Sequence, residues 1–234
     1  MHRSTPRLHS NGFSLVELAI VLVIVALLTS GLLLGISAQR NATENIDAQH
    51  QLENIRDALL GFAMANGRLP CPALQNLANT DTNAGLENCA QQHGVIPWAA
   101  LGLPETDPWG NRFTYFVSSK FTAALSGGAQ ASFTLATGVA PDTAGLANIK
   151  EFGSSTNYIA SDLPAVIVSH GSRAAGAWQP GGNQLPGAIS DELENANANL
   201  TFVSHTPSDS FDDLLIWIPS SILKSKMVAA GRLP

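Results

Sequence analysis

Gly12-Phe13-Ser14-Leu15-Val16-Glu17 leads into an uncharged, mostly apolar run from Leu18 to Ile36, and the first ionic side chain after Glu17 is Arg40. A run of this length spans a bilayer as a helix. A carboxylate at mid-bilayer costs about 2.5–3.5 kcal/mol on insertion scales, so an acid kept at the head of such a run has a task. Ahead of it, Met1 to Asn11 is polar and carries Arg3 and Arg7 but no acid. An ordinary secretory signal has a shorter apolar core and small residues at a cut beyond it. Here the basic segment ends directly in Gly12, and Ser37-Ala38-Gln39 is the nearest imitation of such a cut. An unprocessed signal-anchor is the plainer alternative.

The helical pattern continues past the apolar run. No proline lies between Phe13 and Asn66, and Leu52, Ile55, Leu59 and Phe62 recur at helical spacing on an otherwise polar stretch. Asn66-Gly67, with Pro70 beyond, supplies a stop. The spacing predicts one helix over 13–66, about 80 Å long at 1.5 Å per residue. Gly31 and Gly35 serve as a hinge or as close-packing positions equally well. From residue 67 onward the composition changes to short strand-like runs among Gly, Pro, Asn and Ser: Arg112–Ser118, Ser132–Thr137, Ala165–His170, Leu200–Ser204 and Leu214–Ile218. Residues 119–163 and 171–198 read as loop-rich insertions. The economical architecture is α+β: a long N-terminal helix, its first half membrane-spanning, its second half packed against a C-terminal antiparallel sheet. The 234 residues carry a net charge of −6 with no Lys/Arg cluster, which argues against binding to nucleic acid.

Gly-Phe-x-x-x-Glu ahead of the apolar run resembles the class III signal of the type IV pilin and pseudopilin superfamily. The resemblance implies that a prepilin peptidase cuts between Gly12 and Phe13 and methylates the new amine. It also implies that Glu17, then the fifth residue, neutralises that amine on its own or a neighbouring subunit. Cys71-Pro72-Ala73, Cys89, Gly94-Val95-Ile96-Pro97-Trp98 and Asp107-Pro108-Trp109-Gly110-Asn111-Arg112 are similar to bacterial proteins that carry this cleavage and methylation segment. Asp-Pro-Trp-Gly before an aromatic strand also resembles the major pseudopilin of type II secretion. The organisation implied is a leader over 1–12, a transmembrane and filament-core helix over 13–36, its amphipathic continuation over 37–66, and an exported, pilin-like domain over 67–234. Leu34 stands where major subunits commonly carry proline, which favours a minor subunit.

In an exported domain the two cysteines, Cys71 and Cys89, are expected to pair, two free thiols being the alternative; His93 and His170 are the histidines that would complete a zinc site. Trp98 and Trp109 read as packing residues, with carbohydrate binding as the sharper alternative. The major pseudopilin holds calcium in a loop after a motif resembling Val168-Ser169-His170-Gly171, but Gly171-Ser172-Arg173-Ala174-Ala175-Gly176 lacks the acid expected there. No cofactor is expected beyond a candidate calcium ion; Asp191, Glu192, Asp212 and Asp213 are the calcium candidates, with solvated loop acids as the alternative. Asp81-Thr82-Asn83 is a further acidic loop without EF-hand spacing. Ser169-His170, His205 and Asp209 make a triad only on paper, and no nucleophile elbow or nucleotide fingerprint occurs.

These readings converge on a structural subunit of a type IV pilus or secretion pseudopilus, not an enzyme; a major subunit and a membrane-anchored exported hydrolase are the alternatives. Its partners are the prepilin peptidase, other subunits through the N-terminal helix, and an inner-membrane assembly platform. Its place is the bacterial inner membrane, with the domain outside.

Overall fold

The computed structural model describes residues 14–234, and the backbone alone for residues 30–38. Gly12 and Phe13 lie outside the described residues. The chain divides into two units, one ending at Thr43 and the other comprising Glu44–Pro234.

Helix α1, Leu15–Asn66, is a single element of 52 residues. In its first unit the described apolar side chains face outward all round, from Val25 at 48% to Leu15 at 86% exposure. A helix apolar on every side has no polar face to give to water. Among the described residues, no helix is long and apolar enough to cross a membrane.

In the second unit α1 behaves as its spacing predicts. Leu52, Ile55 and Leu59 are buried, joined by Leu60 and Ala63, while Phe62 is half-buried under the Arg68 guanidinium. Gly67 ends the helix at φ +73°, its N–H donating to Ala63 O at 2.8 Å, and a β-carbon there would strike the Gln130 carbonyl. Arg232 donates from Nε to Met64 O at 2.8 Å and from Nη2 to Ala65 O, covering carbonyls that the last turn leaves open.

Four strands form an antiparallel sheet in the order β1 (His93–Val95), β2 (Thr114–Val117), β5 (Ala165–Ser169), β7 (Leu214–Ile218). Alternation sends Tyr115, Val117, Ala165, Ile167 and Ile218 to the α1 face, where Leu223 and Met227 of helix α4 (Ser220–Ala229) join them. Phe116, Val166 and Val168 point the other way, onto Ile149, Leu163 and Phe202 of a second sheet. The central strand β5 is thus buried on both faces. The second sheet has the order β4 (Tyr158–Leu163), β3 (Ala147–Lys150), β6 (Thr201–Val203), and its β3–β6 pair is parallel, so the domain's β structure is not wholly antiparallel. Helix α3 (Ser190–Ala196) packs on β6; the short helix α2 (Trp98–Leu101) and a 3₁₀ turn (Ser119–Phe121) complete the elements.

Residues 119–163 and 171–198 therefore hold two strands, a 3₁₀ turn and a helix that the sequence did not reveal. Ser132–Thr137, expected as a strand, is a turn: Thr137 Oγ1 accepts from Thr134 N at 3.0 Å, and Phe133 tucks against Phe121 at 4.8 Å between ring centroids. Hydroxyls that bond to nearby backbone compete with a ladder, and here they win.

Cys71 and Cys89 form a disulfide with Cα atoms 5.0 Å apart, which leaves no thiol for the zinc alternative. Glu87 ties the same loop independently, accepting from Cys71 N at 2.8 Å and from Arg68 Nη1 at 2.7 Å. Replacing both cysteines by serine is expected to cost about 3 kcal/mol, the chain-entropy value for a loop of this size. A fall of about 10 °C in melting temperature should follow. A melting temperature equal to that of the oxidised wild type would show that Glu87 alone suffices.

Candidate functional site

Two places carry chemistry. The first is the head of α1. Ser14 precedes the helix, its Oγ accepting from Val16 N at 3.3 Å, and the Glu17 carboxylate reaches back to accept from Ser14 N at 2.9 Å. Ser-x-x-Glu is the capping-box spacing, a signal present in the sequence itself. Glu17 is the only charged residue from Ser14 to Thr29.

The second lies where β5, α3 and β7 meet. Beyond Ser169 the chain turns through Gly171 at φ +59°, where a β-carbon would collide with the Asp212 backbone and carboxylate. That glycine brings Asp212 against the turn: Asp212 Oδ2 accepts from Ser172 Oγ and from Arg173 N, both at 2.9 Å. Asp213, next before β7, accepts from Asn195 Nδ2 at 2.8 Å through Oδ2. Glu192, on α3, is fully buried. Ligand oxygens of Glu192, Asp212 and Asp213 all lie within 4.8 Å of one another. Both oxygens of Glu192, Oδ1 of Asp212 and Oδ1 of Asp213 are buried without a hydrogen-bond partner. Arg173 Nε stands 3.0 Å from Glu192 Oε1, an ion pair without hydrogen-bond alignment. His170 Nδ1 stands 3.6 Å from Asp213 Oδ1, while its Nε2 is 2.8 Å from Thr114 Oγ1. Burial, then the Asp213 carboxylate, holds the Glu192 carboxyl above its usual range, with Arg173 opposing.

Of the four calcium candidates, three converge. Asp191 does not: it faces the other way, accepting from Gly153 N at 3.0 Å and lying 3.3 Å from His205 Nε2. Asn195, which the sequence did not single out, holds α3 to β6 and to Asp213, accepting from Val203 N at 2.8 Å and donating to Val203 O at 3.0 Å. Asp81 merely caps its own turn, accepting from Asn83 N at 2.8 Å.

The paper triad dissolves. Ser169 Oγ donates to Asp107 Oδ2 at 2.7 Å, and His205 pairs with Asp191, not Asp209. The Ser169–Asp107 bond joins the Ser-His-Gly turn to the Asp-Pro-Trp-Gly turn, where Asp107 Oδ1 also accepts from Trp109 N and Asn111 N. The tryptophans are engaged in packing: Trp109 Nε1 donates to Glu44 at 3.1 Å, and the Arg112 guanidinium lies 4.7 Å from the Trp98 ring centroid.

The chain matches the family described as prokaryotic N-terminal methylation motif over residues 7–33, and that described as type II secretion system (T2SS), protein G, over residues 36–131. The chain belongs to the type IV pilin and pseudopilin family. Its members are structural subunits, membrane-anchored and exported, and membership implies processing by a prepilin peptidase and assembly with other subunits. The disulfide and the Asp107–Arg112 turn of this pilin/pseudopilin fall inside the second match; the acidic cluster lies beyond it. No curated protein and no solved structure matches the chain.

Proposed function

We propose that this pilin/pseudopilin is a minor subunit of a type IV pilus or type II secretion pseudopilus whose work is assembly, not catalysis. The observation that carries the reading is the described start of α1: a helix apolar on every exposed side, with one carboxylate, beginning beside the Gly12–Phe13 junction. Residues 1–12 form a leader kept in the cytoplasm by Arg3 and Arg7, as the positive-inside rule favours. Residues 13–36 sit in the inner membrane before assembly and in the filament core after it; 37–66 continue the helix into the exported domain of 67–234. Leu34, in place of the proline common in major subunits, supports the minor role. The partners are the prepilin peptidase, the other subunits and the inner-membrane platform.

Glu192, Asp212 and Asp213 would hold a calcium ion. Their separations fit oxygens sharing one ion at about 2.3–2.6 Å, and carboxylates are the hard donors that calcium takes. The four buried oxygens without a hydrogen-bond partner are the observation that favours it. A bound ion would supply positive charge to three carboxylates and tie α3, the Gly171 turn and β7 together.

Co-expression with a prepilin peptidase tests the processing reading. Intact-mass and N-terminal analysis should find a chain that begins at methylated Phe13. A mature chain beginning elsewhere, or an uncut Gly12 site beside active peptidase, would overturn it.

A further inference from the structure

The acidic cluster contains a cation of its own. Arg173 follows the Gly171 turn, its backbone N–H bound to Asp212 Oδ2 and its Nε against Glu192 Oε1 at 3.0 Å. Nη1 donates to the Asp209 carbonyl, so the guanidinium is held from both sides. Its side chain is 38% exposed whereas that of Glu192 is fully buried. The arginine therefore enters the cluster from solvent and meets the most deeply buried of the three acids.

Glu192 and Asp213 are buried and Asp212 is half-buried, and a buried carboxylate is costly without a partner. One guanidinium faces three carboxylates whose oxygens lie within 4.8 Å of one another, an excess of acids that leaves room for a metal ion beside the arginine. We propose that Arg173 is a built-in counter-cation: it holds the three-carboxylate site together when no metal ion is present and weakens the affinity of the site for one. This rests on the reading of the cluster as a calcium site and adds what that reading lacks, namely how the domain stays folded without the ion. An arginine fixed beside Glu192 Oε1 supplies part of the charge that a metal would bring, and it repels an arriving cation at close range. Folding then has no absolute need of calcium, and the ion binds as a reinforcement whose occupancy follows its concentration.

The role has opposite signs in the two states, which a purely structural arginine would not show. In full-length, processed protein in detergent, calcium affinity is measured by titration calorimetry and stability by thermal melting, with EDTA and with calcium. Arg173→Gln should melt lower than wild type in EDTA, yet bind calcium about tenfold more tightly or better. Its calcium-induced rise in melting temperature should therefore exceed that of wild type. Lanthanum, a trivalent probe, should gain more than calcium from the substitution, because removing one positive charge counts for more against a trivalent ion. Arg173→Lys, which keeps the charge, should stay near wild type in affinity. Glu192→Gln should abolish binding in either background.

If wild type binds calcium and Arg173→Gln binds it equally or more weakly, the counter-cation role is wrong while the metal site stands. If neither wild type nor Arg173→Gln binds calcium or lanthanum, the metal reading falls and this proposal falls with it.

Discussion

Arg112→Met is expected to cost about 3–5 kcal/mol of stability, the range for breaking a buried, fully paired charge. The Arg112 side chain has no exposure, and its five N–H donors are all used. Nε and Nη2 reach Glu105 Oε1 at 3.0 and 2.7 Å; Nη1 serves the carbonyls of Gln75 and Leu77 at 3.0 and 2.7 Å; Nη2 also serves Pro180 O at 3.1 Å. Methionine fills much of the space and restores none of these bonds, leaving Glu105 without its cation and the Gln75 and Leu77 carbonyls without donors, while Pro180 O keeps the Asn79 N–H at 2.8 Å. Arg112→Lys should be little better, because an ammonium has three donors on a flexible stem and cannot reproduce the planar fork. The melting temperature should fall by about 10 °C or more in both variants. Adding Glu105→Gln to Arg112→Met should recover part of the loss, since it removes the unpaired charge. A fall of only a degree or two for Arg112→Met would mean that water replaces the guanidinium, and that the three loops hold without this knot.

Arg112 also marks the limit of what the sequence disclosed. It closes the Asp107-Pro108-Trp109-Gly110-Asn111-Arg112 stretch, whose turn residues were legible through Pro108 and Gly110. Apart from Glu105, its partners are far away in the chain and are carbonyls, which any residue possesses, so no side-chain pattern announces them. The long helix was legible because its buried stripe repeats locally and Gly67 has a steric reason to follow it. The tetrapeptide Gly-Arg-Leu-Pro occurs at 67–70 and again at 231–234, and the two copies gain a physical sense only in the fold. Gly67 and Gly231, at φ +73° and +68°, follow the ends of α1 and α4, and Leu69 and Leu233 enter the same core. Each copy is a helix stop followed by a buried leucine, but only the second arginine covers the end of α1.

Strands β5 and β7 were legible through their β-branched and aromatic content, whereas β3 and β4 were not. β4 exposes Tyr158 and Ile159 and shows no clean alternation, and its pairing with β3 carries register shifts. For the acidic cluster, the sequence offered four acids and no way to choose among them. Asp191 and Glu192 are neighbours on α3 and must point in different directions on a helix. Which of them meets Asp212 and Asp213 depends on how α3 is laid on β6, a matter of tertiary packing. Gly171 was the local clue, since a turn that admits Asp212 so closely has no room for a β-carbon.

Glu17→Val is expected to leave the protein inserted and cleaved but to reduce its recovery in sheared filaments by about tenfold or more, at equal cellular abundance. Valine partitions into lipid better than a carboxylate, so poor membrane insertion would not explain such a loss. Two roles for Glu17 remain to be separated. One is the cap: its carboxylate accepts from Ser14 N at 2.9 Å, and losing a cap costs about 0.5–2 kcal/mol, felt in the first turn of the helix. The other is the charge: after cleavage, the amine of Phe13 enters an apolar bundle and requires an anion, and an unpaired buried charge costs about 3–5 kcal/mol. Glu17→Gln distinguishes them, because glutamine serves a capping box as glutamate does but carries no charge. If the cap is what matters, Glu17→Gln assembles like wild type and Ser14→Ala is impaired. If the charge matters, Glu17→Gln fails nearly as badly as Glu17→Val, and Ser14→Ala assembles well. The second outcome is the expected one, since the larger energy belongs to the buried amine. Equal filament recovery for wild type, Glu17→Gln and Glu17→Val would remove Glu17 from the assembly mechanism altogether and leave it as the cap that the structure shows.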